Sequence, residues 1–190
     1  FEGSEAGKAL VVIRSPTDHR EVRTTAEFDA EGTQKLARTS VIDTRTNRKI
    51  HEELSDIARR LLVTKQFDDL GAVAVVLTND QGRRRLTRET HEGGKVVRVE
   101  TLDQASGRRR VEDKKSGTRV VIEKDNKAVL TQADGTQQRG HMDAQGRFIL
   151  ESVTQADGSV VERLGGHVVR IKKGGQVQGY EADISAIVGG

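Results

Sequence analysis

"QADGTQQRGHMDAQGRFILESVTQADG", residues 132–158, carries the same tetrapeptide at both ends, 23 residues apart, with DAQG between the copies. In each QADG the Asp hydrogen-bonds its own backbone, and the Gly takes a positive φ at no steric cost. That is the chemistry of a short hairpin loop, a type I turn followed by a left-handed residue. Similar punctuation stands at Asp29–Gly32, Asn79–Gly82, Glu92–Gly94, Ser106-Gly107, Ser116-Gly117, Asp125-Asn126, Gly165-Gly166 and Gly174-Gly175. From residue 79 onward it recurs every 8 to 13 residues, the length of one strand plus one turn. Two strands make a unit, so QADG returns after about two dozen residues, and Gly82-Arg-Arg-Arg-Leu86 is echoed by Gly107-Arg-Arg-Arg-Val111. The repeat is a hairpin.

Between the turns the pattern has a period of two. Val22, Thr24, Ala26 and Phe28 alternate with Glu21, Arg23, Thr25 and Glu27. Val97 and Val99, Val120 and Ile122, Ala128 and Leu130, and Phe148 and Leu150 each put two apolar groups on one face. Three strands are expected before residue 45 and about eleven after residue 71. One stretch departs from this. Ile50, Leu54, Ile57, Leu61 and Leu62 fall on one helical stripe, with Asn47 as a cap, Glu52 and Glu53 early and Arg59, Arg60 and Lys65 late. This spacing predicts an amphipathic helix over 48–65 lying across a sheet face.

Hydrophobic residues make up 34% of the 190 residues and charged residues 32%, with four Phe, one Tyr and no Trp. Globular domains run at roughly 45–50% apolar on a count that includes Gly, so a thick core is hard to build. Sandwiches need more inward side chains than two per strand. The expected fold is mainly β: an extended antiparallel β-meander of hairpin repeats, partly single-layer, with one amphipathic α-helix. About eleven strands in one open ladder would span on the order of 50 Å. The expected organisation is N-terminal strands over 1–47, helix and linker over 48–70, and the meander over 71–184, all in one continuous domain.

Residues 141–164, "HMDAQGRFILESVTQADGSVVERL", resemble the YD repeat of Rhs and teneurin proteins, whose units run Tyr-Asp-x-x-Gly-Arg-Leu and then Asp-Gly. Asp143, Gly146, Arg147 and Asp157-Gly158 fall in register, and Asp80, Gly82 and Arg83 match in a looser copy, so the resemblance covers residues 79–164. The family's Tyr is replaced by Met142 and Asn79. The resemblance implies a scaffold of β-hairpins rather than a catalyst.

No cysteine is present, which excludes disulfides, thiolate nucleophiles and Cys-based metal sites without fixing a compartment. No apolar run approaches the roughly 18 residues of a membrane span. His51-Glu52-Glu53-Leu54 lacks the second His of a zinc-protease helix, and no Gly pair leads into the Lys-Ser/Thr of a phosphate loop. No cofactor, metal or small-molecule substrate is indicated, and the expectation is a protein that is not an enzyme.

Residues 81–120 hold 12 Lys and Arg against 6 Asp and Glu. Arg83, Arg84, Arg85, Arg88, Arg108, Arg109, Arg110 and Arg119 are therefore candidates for binding a polyanion: nucleic acid, an acidic protein or anionic lipid. An unpaired terminal strand is a template for another chain, and Val168, Val169, Ile171, Ile184 and Ile187 are candidates for such an assembly edge. The first function expected is a structural or scaffolding module acting through sheet faces and edges, with protein partners or self-association. The alternative is a polyanion-binding module on the Arg-rich strands 83–119.

Overall fold

The computed structural model describes residues 7–15, 17–165 and 168–182. Sixteen strands follow one another in sequence order as an antiparallel meander, and no helix occurs among the described residues. Eleven of them come after residue 71. The chain divides into two compact units, Phe1–Ala105 and Ser106–Gly190.

The first unit holds β1 (Lys8–Ser15), β2 (Arg20–Phe28), β3 (Gln34–Asp43), β4 (Arg48–Asp56), β5 (Leu61–Phe67), β6 (Val73–Asp80), β7 (Arg85–Glu92) and β8 (Lys95–Asp103). Each strand pairs with the next. One cross-strand row runs Leu10, Thr25, Arg38, Leu54, Val63, Thr78, Thr87, Thr101. Aliphatic, hydroxyl and charged groups thus share a single face, and polar pairs supply part of the lateral adhesion. The Oγ1 atoms of Thr24 and Thr39 lie 3.0 Å apart. Glu21 is buried between Arg14, 2.7 Å away, and Arg23. The hydrogen bonds from these two guanidinium groups, Arg14 first, hold its carboxyl below the usual range.

The second unit holds β9 (Arg109–Asp113), β10 (Arg119–Ile122), β11 (Lys127–Thr131), β12 (Gln137–Met142), β13 (Phe148–Thr154), β14 (Val160–Gly165), β15 (Val168–Lys173) and β16 (Gln176–Ala182). Its register aligns Val111, Val120, Leu130, Gln138, Val153, Val161, Ile171 and Gly179 in one row. The other face of the same strands carries Arg110, Glu112, Arg119, Arg139, Glu162 and Arg170 together with Val121 and Val129. This is the half-apolar, half-charged alternation of a sheet with one drier face.

Three turn types close the hairpins; the shortest are the two-residue Gly93-Gly94 and Gly174-Gly175 turns, with both glycines at positive φ. In the five-residue type, the amide of Gln132 donates to the Thr136 carbonyl (2.9 Å) and that of Gly135 to the Gln132 carbonyl (3.1 Å). Gly135 has φ 89°. Gln155–Ser159 and Asp143–Arg147 repeat this arrangement, so QADG is the turn that its composition implies. In the longer type an Asp stands four residues before a left-handed residue: Asp43 before Asn47, Asp56 before Arg60, Asp80 before Arg84, Asp103 before Gly107, Asp113 before Gly117. The Asp Oδ1 accepts backbone amides inside the loop, as in Arg83 N–H to Asp80 (2.9 Å) and Ser116 N–H to Asp113 (2.8 Å).

The helix expected over 48–65 is not there; the segment is the hairpin β4–β5. Asn47 is not a helix cap but the left-handed residue of the preceding turn, with φ 54°. Asp56 accepts the Arg59 amide (3.0 Å), Arg60 N–H donates to the Ile57 carbonyl (3.1 Å), and Ile57 is exposed at the turn. The physical reason lies in the neighbours. A helix here would leave the backbone donors and acceptors of β3 and β6 open, whereas the hairpin satisfies both ladders. The helical stripe of Ile and Leu also needs a dry face to cover, and this sheet has little to offer. Among the described residues only Glu21, Ala128 and Gly140 are buried, and Ala128 is the one buried hydrophobic side chain.

Candidate functional site

The arginines fall into two environments. In the second unit Arg108, Arg110 and Arg119 are paired with carboxylates. Arg108 pairs with Glu123 (3.0 Å), and Glu112 gathers Arg119 (3.1 Å), Arg110 and Lys114. The Lys114 ammonium first, then the Arg110 guanidinium, hold the Glu112 carboxyl down at about 2. Arg109 opens β9 opposite Ile122, on the face away from Arg110.

In the first unit the arrangement is different. Arg83 and Arg84 sit in the β6–β7 turn rather than on a strand face. Arg85 opens β7 opposite Asp80 and Asp103, and Arg88 lies between Leu77 and Glu100. The β4–β5 turn is the neighbour at the same end, and it brings Arg59 and Arg60 alongside. The two turns are joined by one bond, Gln81 N–H to the Arg60 carbonyl (3.0 Å), and Gln104, in the turn after β8, donates in the same way to the Arg84 carbonyl (2.8 Å). A Cβ on Gly82 would stand 3.6 Å from the Arg59 carbonyl oxygen. The result is a ridge of Arg59, Arg60, Arg83, Arg84 and Arg85, all exposed. The side chains of Arg59 and Arg83 are 81% and 78% exposed, while those of Asp56 and Asp80 beneath them are only 20% and 25% exposed. Each carboxylate holds a loop amide and also pairs loosely with its own turn's guanidinium group, Arg59 to Asp56 and Arg83 to Asp80 at 3.7 Å, while most of each guanidinium group faces water.

Arg59 and Arg60 are not among the expected site residues, since the helical stripe over 48–65 places them at a helix end. The signal that finds them is the Asp-to-left-handed spacing of four, identical in Asp56…Arg60 and Asp80…Arg84.

The strand edges are the second feature. β1 pairs only with β2 among the described residues, and its Leu10, Val11, Val12 and Ile13 are 53%, 46%, 44% and 61% exposed. Val168, Val169 and Ile171 lie on β15, which pairs with β14 and β16, one strand in from the end of the order. Ile184 and Ile187 lie outside the described residues. An open depression of about 450 Å³ is lined by Ser116, Thr118, Leu130, Gln132, Ala133, Asp134 and Gln138, where two neighbouring turns of the second unit meet.

Neither a family model nor a curated protein matches this chain.

Among the described residues no group of three or more His, Asp and Glu side chains is placed to hold a metal ion. His141 reaches Glu151 at 2.8 Å, as an exposed pair on neighbouring strands. No helix of the described residues is long and apolar enough to cross a membrane. The chemistry on offer is of two kinds: backbone and apolar contact along a strand edge, and charge along a row of turns.

Proposed function

We propose that the chain is a non-catalytic structural module that joins other chains, including copies of itself, through its strand edges and sheet faces. The observation that carries this reading is β1. A strand with one unpaired side presents a row of N–H and C=O groups to any strand that approaches. Natural edges are blunted by charge, proline or bulges, but β1 presents four successive exposed aliphatic residues between Lys8 and Arg14. Aliphatic contact on both faces would then reinforce the main-chain ladder. The hairpin repeats that resemble the YD family fit the same role, since turns and ladders build surface rather than enclosed sites.

The free side of β1 can be read from its hydrogen bonds. Phe28 N–H donates to the Gly7 carbonyl at 2.7 Å, so alternation places the bonds to β2 at odd residues and turns the groups of Lys8, Leu10, Val12 and Arg14 outward. A proline at Val12 removes an outward donor without touching the β1–β2 ladder, whereas one at Val11 breaks it. Sedimentation velocity over a concentration series is the test. The wild type is expected to gain mass with concentration, and Val12→Pro to stay at the mass of one chain. A wild type that sediments as a monomer at every concentration, and captures no strand-forming peptide, would contradict the reading.

A further inference from the structure

We infer that the arginine ridge of the first unit is a binding site for the phosphate backbone of duplex nucleic acid, read through charge alone. The five residues are Arg59, Arg60, Arg83, Arg84 and Arg85, carried by two adjacent turns joined through the Gln81-to-Arg60 hydrogen bond of 3.0 Å. Successive turns at one end of a meander are two strand spacings apart, about 10 Å. Long guanidinium side chains span that step between phosphates. All the cations are Arg and none is Lys, and the planar fork of Arg matches the paired oxygens of a phosphate.

A second observation is independent of the charge. Arg60 and Arg84 both have φ 52°, a left-handed conformation that costs an L side chain energy and that Gly adopts freely. The same turn position holds Gly107 and Gly117 elsewhere in the chain. Two neighbouring turns therefore tolerate backbone strain to place an arginine where a glycine folds better. Among the described residues His19 is the one other residue besides Gly and Asn in this conformation (φ 51°), and strain of this kind often marks a side chain that is needed where it stands.

The acidic groups around the ridge are Asp56, Asp80 and Asp103; they hold the loops, and Asp56 and Asp80 also make loose 3.7 Å pairs with Arg59 and Arg83, exposed pairs of a kind worth little in water and open to exchange for phosphate. Asp56 and Asp80 take the amides of Arg59 (3.0 Å) and Arg83 (2.9 Å), and Asp103 that of Ala105 (2.8 Å). In the β2–β3 turn at this end Asp29 pairs with Lys35 at 2.8 Å, leaving Glu31 as its one uncompensated acid. No Phe or Tyr lies in the two turns. Single-strand binders lean on aromatic stacking, whereas a duplex keeps its bases inside and offers its phosphates outside.

The test is fluorescence anisotropy with a labelled duplex of about 20 base pairs, titrated with the full chain at several salt concentrations. About four phosphate contacts give a slope of log K against log salt near −3.6, or roughly a hundredfold loss between 50 and 200 mM. The affinity should not depend on base sequence. In the double variant Arg60→Gly/Arg84→Gly the slope should fall by about 2. Because Gly relieves the turn, the variant should melt no lower than the wild type, so the loss cannot come from misfolding. Arg60→Asn/Arg84→Asn should behave alike, and Asn47→Gly, at the other end of the strands, should bind as the wild type does. Absence of binding at 50 mM salt would overturn the proposal. So would an unchanged slope in both double variants, tighter binding of a single strand, or capture of a sulfated polysaccharide with the duplex left free. The proposal does not depend on self-association, and each can fail without the other.

Discussion

Gly140 shows what a single residue decides in this sheet. It stands in β12 opposite Leu150, at a shift of register between Arg139 and Gly140 where β13 carries an extra residue. A Cβ at this position would run into the carbonyl oxygen of Ile149 and come within 3.1 Å of the Phe148 ring. The backbones approach closely because the bulge requires it, and the aromatic ring fills the space that a side chain would take. Gly140→Ala should therefore destabilise the second unit by about 3 kcal/mol, an overpacking cost at the upper end for small additions. Urea denaturation of the variant checks this, and a change within experimental error of zero would show that the bulge is free to relax. None of this was legible in the sequence, where Gly140 sits between Arg139 and His141 with no turn residue beside it. A glycine required by a close backbone approach has no local signature, whereas the glycines of QADG announce themselves through the Asp before them.

At the scale of the element, the hairpins after residue 71 were readable and the β4–β5 hairpin, expected as a helix, was not. The β-period and the Asp-Gly turns are local properties, so β6 to β16 could be laid out from the chain alone. The β4–β5 hairpin was hidden because its apolar residues also satisfy a helical stripe, and its turn, Ile57-Ala58-Arg59-Arg60, contains no Gly, Asn or Asp. That one ambiguity also hid half of the arginine ridge. Charge at the element level sets the response to acid. The Glu112 carboxyl on β9 holds Lys114, Arg110 and Arg119 together, and its pKa of about 2 lies below the usual 4.5. Glu21, Glu52 and Glu162 are lowered in the same direction by Arg14, Lys49 and Lys172 respectively. A carboxylate with a depressed folded pKa contributes stability that is complete above its unfolded value and is lost as pH falls toward the folded one. The melting temperature should thus be flat from pH 7 to about 5 and drop between about 4.5 and 2. Glu112→Gln should melt lower at pH 7 and show a shallower acid drop, and added salt should narrow the gap between the two proteins. An acid profile identical in wild type and variant would remove Glu112 from the account.

For the whole molecule, the question is what replaces a hydrophobic core. Leu36, Leu54, Val63, Val111, Val120, Leu130 and Ile171 are half-buried rather than enclosed, and of the hydrophobic side chains described only Ala128 is buried. Ladder hydrogen bonds, turn carboxylates and cross-strand pairs of Thr and opposite charge stand in its place. The low aromatic content made this thinness legible from composition alone, as did the strand count. The division into units at 105 and 106 was not, because residues 103–108 form a turn sequence like the others. The central claim, a sheet that folds with little apolar surface removed from water, has a direct calorimetric consequence. The heat capacity of unfolding follows the apolar surface exposed, and 190 residues of ordinary globular protein would give about 2.3–2.9 kcal/mol/K. Differential scanning calorimetry across a range of pH, with the enthalpy plotted against melting temperature, should return a slope below about 2 kcal/mol/K. A slope within the globular range would mean that the strands enclose a core after all, and would contradict the account.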